Sequence, residues 1–467
     1  MQYISTRGAA PALGFSDALL AGLARDGGLY TPLAVPSWPA DTIRALRGLS
    51  YAETAVRVMT PFIAGDFAQA ELGSMTGEAY SGFRHAATAP LVQIADNLFA
   101  LELFHGPTLA FKDFAMQWLA RAMNKVLRRR GERATILGAT SGDTGAAAIE
   151  AFAGQSQTDV YILYPQGRVS DVQRRQMTTV GDPNVHALAI EGTFDDCQRI
   201  VKDLFGDLAL RDELRLSGVN SINWARILAQ IVYYFVAAVA LGAPERPVSF
   251  AVPTGNFGDV LAGYYAKRLG LPVGRLVVAT NENDILVRAL ASGRYQPRGV
   301  RATQSPSMDI QISSNFERLL FEASGHDSEV VRGLMRDLAD EGGFTIPSAL
   351  LARICSDFDG IRLDEAACAA EMGRVYRESG IIIDPHSAVG VGAARNALRL
   401  DLATPVVAVG TAHPAKFPDA VERATGRRPP LPPHLSDLLD RKETIAVLPN
   451  DPASVADYLR QNVRAAA

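Results

Sequence analysis

The chain has 467 residues, more than one hydrophobic core usually spans, so two or three domains are expected. A formal charge of −4 is small for that length and gives no footing for a nucleic-acid or membrane-surface protein. The 3 cysteines, Cys197, Cys355 and Cys368, lie far apart without metal-ligand spacing, which favours a reducing compartment and predicts no metal site.

The N-terminus, Met1 to Gly8, has no apolar signal core, so a cytoplasmic chain is expected. Residues 1–88 read as an N-terminal cap, with helices over Asp41 to Leu46 and Tyr51 to Met59 between turn signals such as Asp26-Gly27-Gly28. From about Pro90 the pattern changes. A helical periodicity runs from Phe111 through Met123, and Lys112 stands at its start between Phe111 and Phe114. A cation at the positive end of a helix dipole is unfavourable, and desolvation also lowers an ammonium pKa. Both push Lys112 toward the neutral amine that attacks carbonyls. The same pattern also suits a surface lysine that snorkels from a half-buried helix.

Strand Thr135 to Gly138 runs through Ala139-Thr140-Ser141-Gly142-Asp143-Thr144-Gly145 into a helix ending near Phe152. Small residues there admit a ligand to the backbone, and the helix start supplies free N–H donors for an anion. An ordinary capped turn fits this segment too. Strand Val160 to Pro165, a helix near Val169 to Thr178 and strand Val185 to Ile190 follow, then a helix capped by Thr193 with Asp196. The apolar run Ile227 to Ala243 is interrupted by Gln230 and short for a bilayer span, so a buried helix is predicted.

A second round begins with strand Val248 to Thr254 and the turn Gly255-Asn256-Phe257-Gly258-Asp259 at a helix start. Successive N–H groups in such a turn can cradle phosphate, although a tight turn needing its glycines fits equally well. The spacing is neither a dinucleotide fingerprint nor a P-loop. Strand Leu276 to Thr280, the polar stretch Thr303 to Ile310, the turn Asp384 to Gly390 and strand Val406 to Gly410 follow, ending in Thr411-Ala412-His413-Pro414-Ala415-Lys416-Phe417. His105, His386 and His413 have no ligand spacing and read as structural.

Strands alternating with helices predict an α/β protein of two facing, open, mostly parallel sheets with helices on both faces, plus the N-terminal cap. The expected units are 1–88, 89–245 carrying Lys112 and the 140–145 turn, and 246–467 carrying the 255–259 turn. Ligands of open sheets bind at the carboxyl ends of strands, where every one of these turns falls. An amine, a phosphate cradle and a strand-end hydroxyl together fit pyridoxal 5'-phosphate.

The chain resembles the threonine synthases, fold-type-II pyridoxal-phosphate enzymes, in their longer form with an N-terminal extension. The resemblance rests on motifs spread in order over nearly the whole chain. They include Tyr3-Ile4-Ser5-Thr6-Arg7-Gly8, His105-Gly106-Pro107-Thr108, Phe111-Lys112-Asp113-Phe114 and Ser141-Gly142-Asp143-Thr144-Gly145. Asn220-Ser221-Ile222-Asn223-Trp224-Ala225-Arg226, Pro253-Thr254-Gly255-Asn256-Phe257-Gly258 and Thr411 to Phe417 extend the match. The resemblance implies conversion of O-phospho-L-homoserine and water to L-threonine and phosphate by γ-elimination and β-addition. Lys112 would hold the cofactor as a Schiff base and take the proton at Cα. Gly255, Asn256, Phe257, Gly258 and Asp259 would form its phosphate loop, and Thr411 would face the ring nitrogen. The family's loop commonly carries Asn where this chain has Asp259; the backbone donors of the loop survive that change, while a carboxylate near phosphate weakens the case for a side-chain contact. Thr140, Ser141, Gly142, Asp143 and Thr144 would form the substrate loop, and Ser141, Asp143 and Thr144 would take the substrate carboxylate or the cofactor's ring oxygen. Arg168, Asn223, Arg226 and Lys416 are expected at the substrate phosphate. A monomer or small homo-oligomer acting on a small molecule, without nucleic acid or membrane, is expected. The alternatives are a related phospho-lyase releasing a keto acid and a catalytically silent scaffold of the same fold.

Overall fold

The computed structural model describes residues 1–63 and 65–464. Two sheets form its frame. One has five strands, all parallel, in the order Ala446–Leu448, Val185–Ile190, Thr158–Pro165, Ala134–Ala139, Leu216–Ser217. The other has six, in the order Phe358–Arg362, Val273–Thr280, Val248–Pro253, Val406–Gly410, Leu98–Glu102, Leu91–Ala95. It is parallel except for the last pair, whose Leu91–Ala95 strand runs antiparallel. Strands such as Thr158–Pro165 and Val248–Pro253 are buried along their length, as expected of parallel strands covered on both faces.

The sheets correct the expected boundaries. Leu91–Ala95 and Leu98–Glu102 lie in 89–245 yet join the sheet built from 246–467, because Leu98–Glu102 pairs with Val406–Gly410. In the opposite direction, Ala446–Leu448 leaves the second segment to extend the five-stranded sheet beside Val185–Ile190. The helix Pro452–Asn462 then packs against Phe194–Gly206, closing an apolar cluster of Val455, Leu459, Cys197 and Ile200. The six-stranded sheet thus takes two strands from the first half of the chain, and the five-stranded sheet takes one from the second.

The N-terminal segment is more helical than its sequence suggests, with Phe15–Ala21, Ala40–Arg44, Tyr51–Ile63 and Gln69–Tyr80 around the antiparallel pair Tyr3–Ser5 and Tyr30–Pro32. It is sewn into the body. Tyr3 donates to the Phe62 carbonyl at 2.8 Å and accepts from Trp224 Nε1 at 3.1 Å. Arg318, fully buried, donates to the Tyr30 carbonyl from Nε and Nη2 and to Asn315 Oδ1. Asn315 in turn donates to the Asn256 carbonyl from its backbone and side chain, so the cap reaches the 255–259 turn through two residues.

Two helices set the site. Lys112–Arg130 stops at Gly131, whose φ of +64° suits a residue without Cβ, and its last turn carries Arg128, Arg129 and Arg130 at the negative end of the dipole. Trp224–Ala240 is buried on almost every side, and Gln230 sits inside it at 3% exposure. Among the described residues no helix is long and apolar enough to cross a membrane.

Candidate active site

Lys112 opens its helix because the preceding loop is tied down on both sides. Asp113 accepts from the Thr108 backbone N–H at 2.9 Å and hydroxyl at 2.6 Å, and burial pushes its carboxyl up to about 6. The backbones of Phe111 and His413 donate to Thr411 and Leu109, joining this loop to the end of strand Val406–Gly410. Leu109 is held at φ +62° between Val172, Leu435 and Leu438. The outcome is a lysine at the first helical position, 9% exposed, with its ammonium 5.4 Å from the Phe111 ring centre. Burial pulls the Lys112 amine below its ordinary range, and nearby Asp143 only partly opposes it. Lys416 and Arg226 add to the depression.

Asp143 lies between two lysines. Its Oδ1 accepts from Lys416 Nζ at 2.8 Å and Gln173 Nε2 at 2.9 Å. Its Oδ2 accepts from Ser307 Oγ at 3.2 Å and faces Lys112 Nζ at 3.5 Å. Burial is the largest influence on this carboxyl and acts upward, but Lys416, Lys112 and His386 together hold it well below the usual range. An ionised carboxylate only accepts hydrogen bonds. Asp143 therefore cannot bind a substrate carboxylate by its side chain, which corrects that part of the expectation and leaves it to hold amines.

The backbone around Asp143 has the opposite character. Thr140 Oγ1 accepts from the N–H groups of Gly142 and Gly145 at 3.0 and 2.9 Å, so Thr140 shapes the turn. Gly142 adopts φ +142°, and a Cβ there would collide with the Gln173 amide. The N–H groups of Ser141, Asp143 and Thr144 have no acceptor among the described residues. Three donors at a helix start, beside half-buried Ser141 and Thr144 hydroxyls, make a seat for an anion.

The 255–259 turn repeats this at the other sheet. None of the N–H groups from Gly255 to Asp259 donates to an acceptor among the described residues. Phe257 is held at φ +63° by Phe316 and Phe358, with ring centres 5.3 and 5.5 Å away, and Gly258 opens the helix. A Cβ on Gly255 would lie 3.0 Å from the Ser307 carbonyl. Asn256 is exposed. The Asp259 side chain points away into the core, where Oδ1 accepts from the Tyr233 and Tyr234 hydroxyls at 2.6 and 2.8 Å. Its Oδ2 has no partner, and burial pushes the carboxyl up to about 6.

The residues expected at the substrate phosphate separate. Arg226 is buried, donates through Nη1 to the Val219 carbonyl at 3.1 Å, and has an unpartnered Nε. Desolvation lowers it to about 10, the state of a guanidinium that lacks an anion. Asn223 is committed elsewhere: it caps helix Trp224–Ala240 by accepting from the Ala225 N–H and donates to the Leu19 carbonyl at 2.9 Å. Lys416 is wholly buried and spent on Asp143 and the Thr108 carbonyl, each at 2.8 Å. Arg168 is exposed on the turn after Thr158–Pro165 and forms no ion pair among the described residues. Gln173, Ser307, Asp384 and His386 were not expected here. The Asp384 to Gly390 turn and the polar run Thr303 to Ile310 carried a signal, whereas nothing marked Gln173.

Thr411 Oγ1 is buried without a partner beside the Lys112 loop, as a group awaiting a ring nitrogen would be. Together with the free N–H groups of 255–259 and the depressed Lys112 amine, it fits pyridoxal phosphate. A capturing amine set between anion seats at the carboxyl ends of two sheets defines a pyridoxal-phosphate enzyme of fold type II. Family models agree: "Pyridoxal-phosphate dependent enzyme" matches residues 85–352, "Threonine synthase N terminus" 2–80 and "Threonine synthase, C-terminal" 387–459. A threonine synthase of Pseudomonas aeruginosa is 52% identical over 463 residues, 99% of this chain and 98% of that protein. A pyridoxal-phosphate-bound threonine synthase structure from Brucella melitensis matches with TM-score 0.97 at 61% identity, covering 100% of both chains. The yeast threonine synthase structure matches with TM-score 0.94 at 40% identity, over 99% of this chain and 98% of that one. The chain belongs to the threonine synthase family, and its cofactor is pyridoxal 5'-phosphate.

Proposed function

We propose that the chain converts O-phospho-L-homoserine and water to L-threonine and phosphate, with Lys112 as the amine that holds the cofactor and moves the proton at the substrate Cα. The observation that carries this is the buried, depressed Lys112 amine beside a turn whose Ser141, Asp143 and Thr144 N–H groups are free. Bound pyridoxal phosphate supplies an aldehyde for the substrate amine and an electron-accepting ring that acidifies the substrate Cα–H.

The chain's own residues supply the rest. The Gly255 to Asp259 N–H groups would hold the cofactor phosphate through backbone alone, since the Asp259 side chain is turned inward. Thr411 Oγ1, buried without a partner, would hold the ring nitrogen as a neutral group that does not enforce a charged ring. The free donors of 141–144 fix the substrate carboxylate, and Arg226 takes the phosphate that leaves Cγ before water adds at Cβ. Lys112, its amine drawn down by burial, accepts the Cα proton. Asp143, held by Lys416 and Gln173, keeps that amine aimed. The small net charge accords with a chain without nucleic-acid or membrane partners, and the reading is of a cytoplasmic monomer or small homo-oligomer.

Lys112→Ala tests the assignment. Threonine production should vanish, and borohydride reduction of the wild type should fix the cofactor on the Lys112 peptide. Near-normal threonine output from purified Lys112→Ala would sink it.

A further inference from the structure

Ser307 sits in the 3-10 turn Pro306–Met308, where three of its atoms meet three parts of the site. Its carbonyl packs on Gly255, 3.0 Å from the position of a Cβ there. Its N–H donates to His386 Nε2 at 3.2 Å, and His386 Nδ1 lies 2.7 Å from Asp384 Oδ2. Its hydroxyl donates to Asp143 Oδ2, the carboxylate oxygen that faces Lys112. The turn cannot drift. Asp309 Oδ1 accepts from Asn281 Nδ2, Asn283 Nδ2 and Thr303 Oγ1 at 2.8, 2.9 and 2.7 Å. Ser313 Oγ, farther on, donates to the Gly255 carbonyl at 2.7 Å.

The two oxygens of Asp143 are used unequally. Oδ1 is occupied by Lys416 and Gln173 at distances of strong, charge-assisted bonds. Oδ2 is the one left for Lys112, and Ser307 already donates to it. Lys112 pairs with the same oxygen at 3.5 Å, longer than a good charge-assisted bond, while Ser307 lies nearer at 3.2 Å. We propose that Ser307 is a positioning residue that shares Asp143 Oδ2 with Lys112 and so weakens the hold of that oxygen on the ammonium. This inference rests on the proposed role of Lys112 and names what loosens the hold on that amine.

The groups facing Lys112 are few. Asp143 is the negative one; Lys416 from the turn Pro414–Lys416 and Arg226 from helix Trp224–Ala240 are positive. His386, from helix Pro385–Leu400, acts on Asp143. Deleting the Ser307 hydroxyl removes no charge from this set. It leaves Asp143 Oδ2 to Lys112 alone, and the ammonium can close on it from 3.5 Å. A charge-assisted bond tightened chiefly in the protonated form should raise the lysine's pKa by about one unit.

Two readouts test this on the full-length chain. One is the pH dependence of kcat for the holoenzyme, whose acidic limb follows protonation of the freed lysine. The other is the rate at which the chain, stripped of cofactor, captures added pyridoxal 5'-phosphate, followed by absorbance. Ser307→Ala should move both acidic limbs up by about one pH unit. Ser307→Thr, which keeps the hydroxyl, should leave them at the wild-type position. Ser307→Cys, a weak donor, should move them part of the way and stands in should the alanine variant not fold. Limbs that stay put in both the alanine and cysteine variants, while wild type captures the cofactor on Lys112, overturn the role of Ser307 alone. Wild type that captures no cofactor on the Lys112 peptide overturns the proposed function and this inference with it.

Discussion

Asp259→Asn tests how the phosphate turn is built. The Asp259 carboxyl is buried on the first turn of helix Gly258–Arg268, with Oδ1 on two tyrosine hydroxyls and Oδ2 unpartnered. Burial raises it from 3.8 to about 6. Below pH ~4 folded and unfolded chains both carry the proton, so no penalty arises. Between about pH 4 and 6 the unfolded chain loses a proton that the folded chain keeps, and stability falls as pH rises. Above that window the full difference remains, on the order of 3 kcal/mol at about 1.4 kcal/mol per pH unit. Asparagine keeps an acceptor for both tyrosines and cannot ionise, but it leaves an amide donor unpartnered at a cost of about 1–3 kcal/mol. The variant should therefore be more stable than wild type by about 1 kcal/mol at pH 7.5 and no more stable at pH 3.5. The assay is urea unfolding of both proteins across that range. Asp113, also raised to about 6, is common to both and cancels. A difference that does not change with pH would refute the reasoning.

Three further predictions separate roles that lie close together. Lys416→Met removes one partner of a fully buried ion pair, so it should cost about 3–5 kcal/mol of stability without any substrate present. An unchanged urea midpoint with only a raised KM would return Lys416 to the substrate phosphate. Arg226→Gln should raise the substrate concentration needed for half-maximal rate by at least tenfold while cofactor content stays intact, as equilibrium dialysis and steady-state kinetics can check. Thr411→Ala leaves the covalent anchor in place, so the bound-cofactor absorbance should persist, displaced, with lower activity; unchanged kinetic constants would make Thr411 a plain strand-end residue.

Local chemistry made the frame legible. Strands Val185–Ile190 and Val406–Gly410 fall where their β-branched and apolar runs begin and end, and Thr193 with Asp196 forms the expected capping box. Lys112 was readable because desolvation acts within one turn of helix, and burial does lower its amine, whereas Lys416 and Arg226, which add to the shift, are distant in sequence. What escaped is non-local. Ala446–Leu448 is too short and too exposed to signal a strand by itself, and only its pairing with Val185–Ile190 makes it one. Asn223 and Lys416 carry the right groups for phosphate, but Leu19 and Asp143, distant in sequence, had already claimed them. Gln173 was silent for the same reason: a glutamine on a helix face acquires meaning only when Asp143 is brought against it.

The central claim is most directly tested by the products of O-phospho-L-homoserine. Phosphate and threonine should be measured together from one reaction of the purified holoenzyme. Equal amounts of the two, with no keto acid, are predicted. Phosphate released with an equal amount of keto acid and without threonine would contradict it.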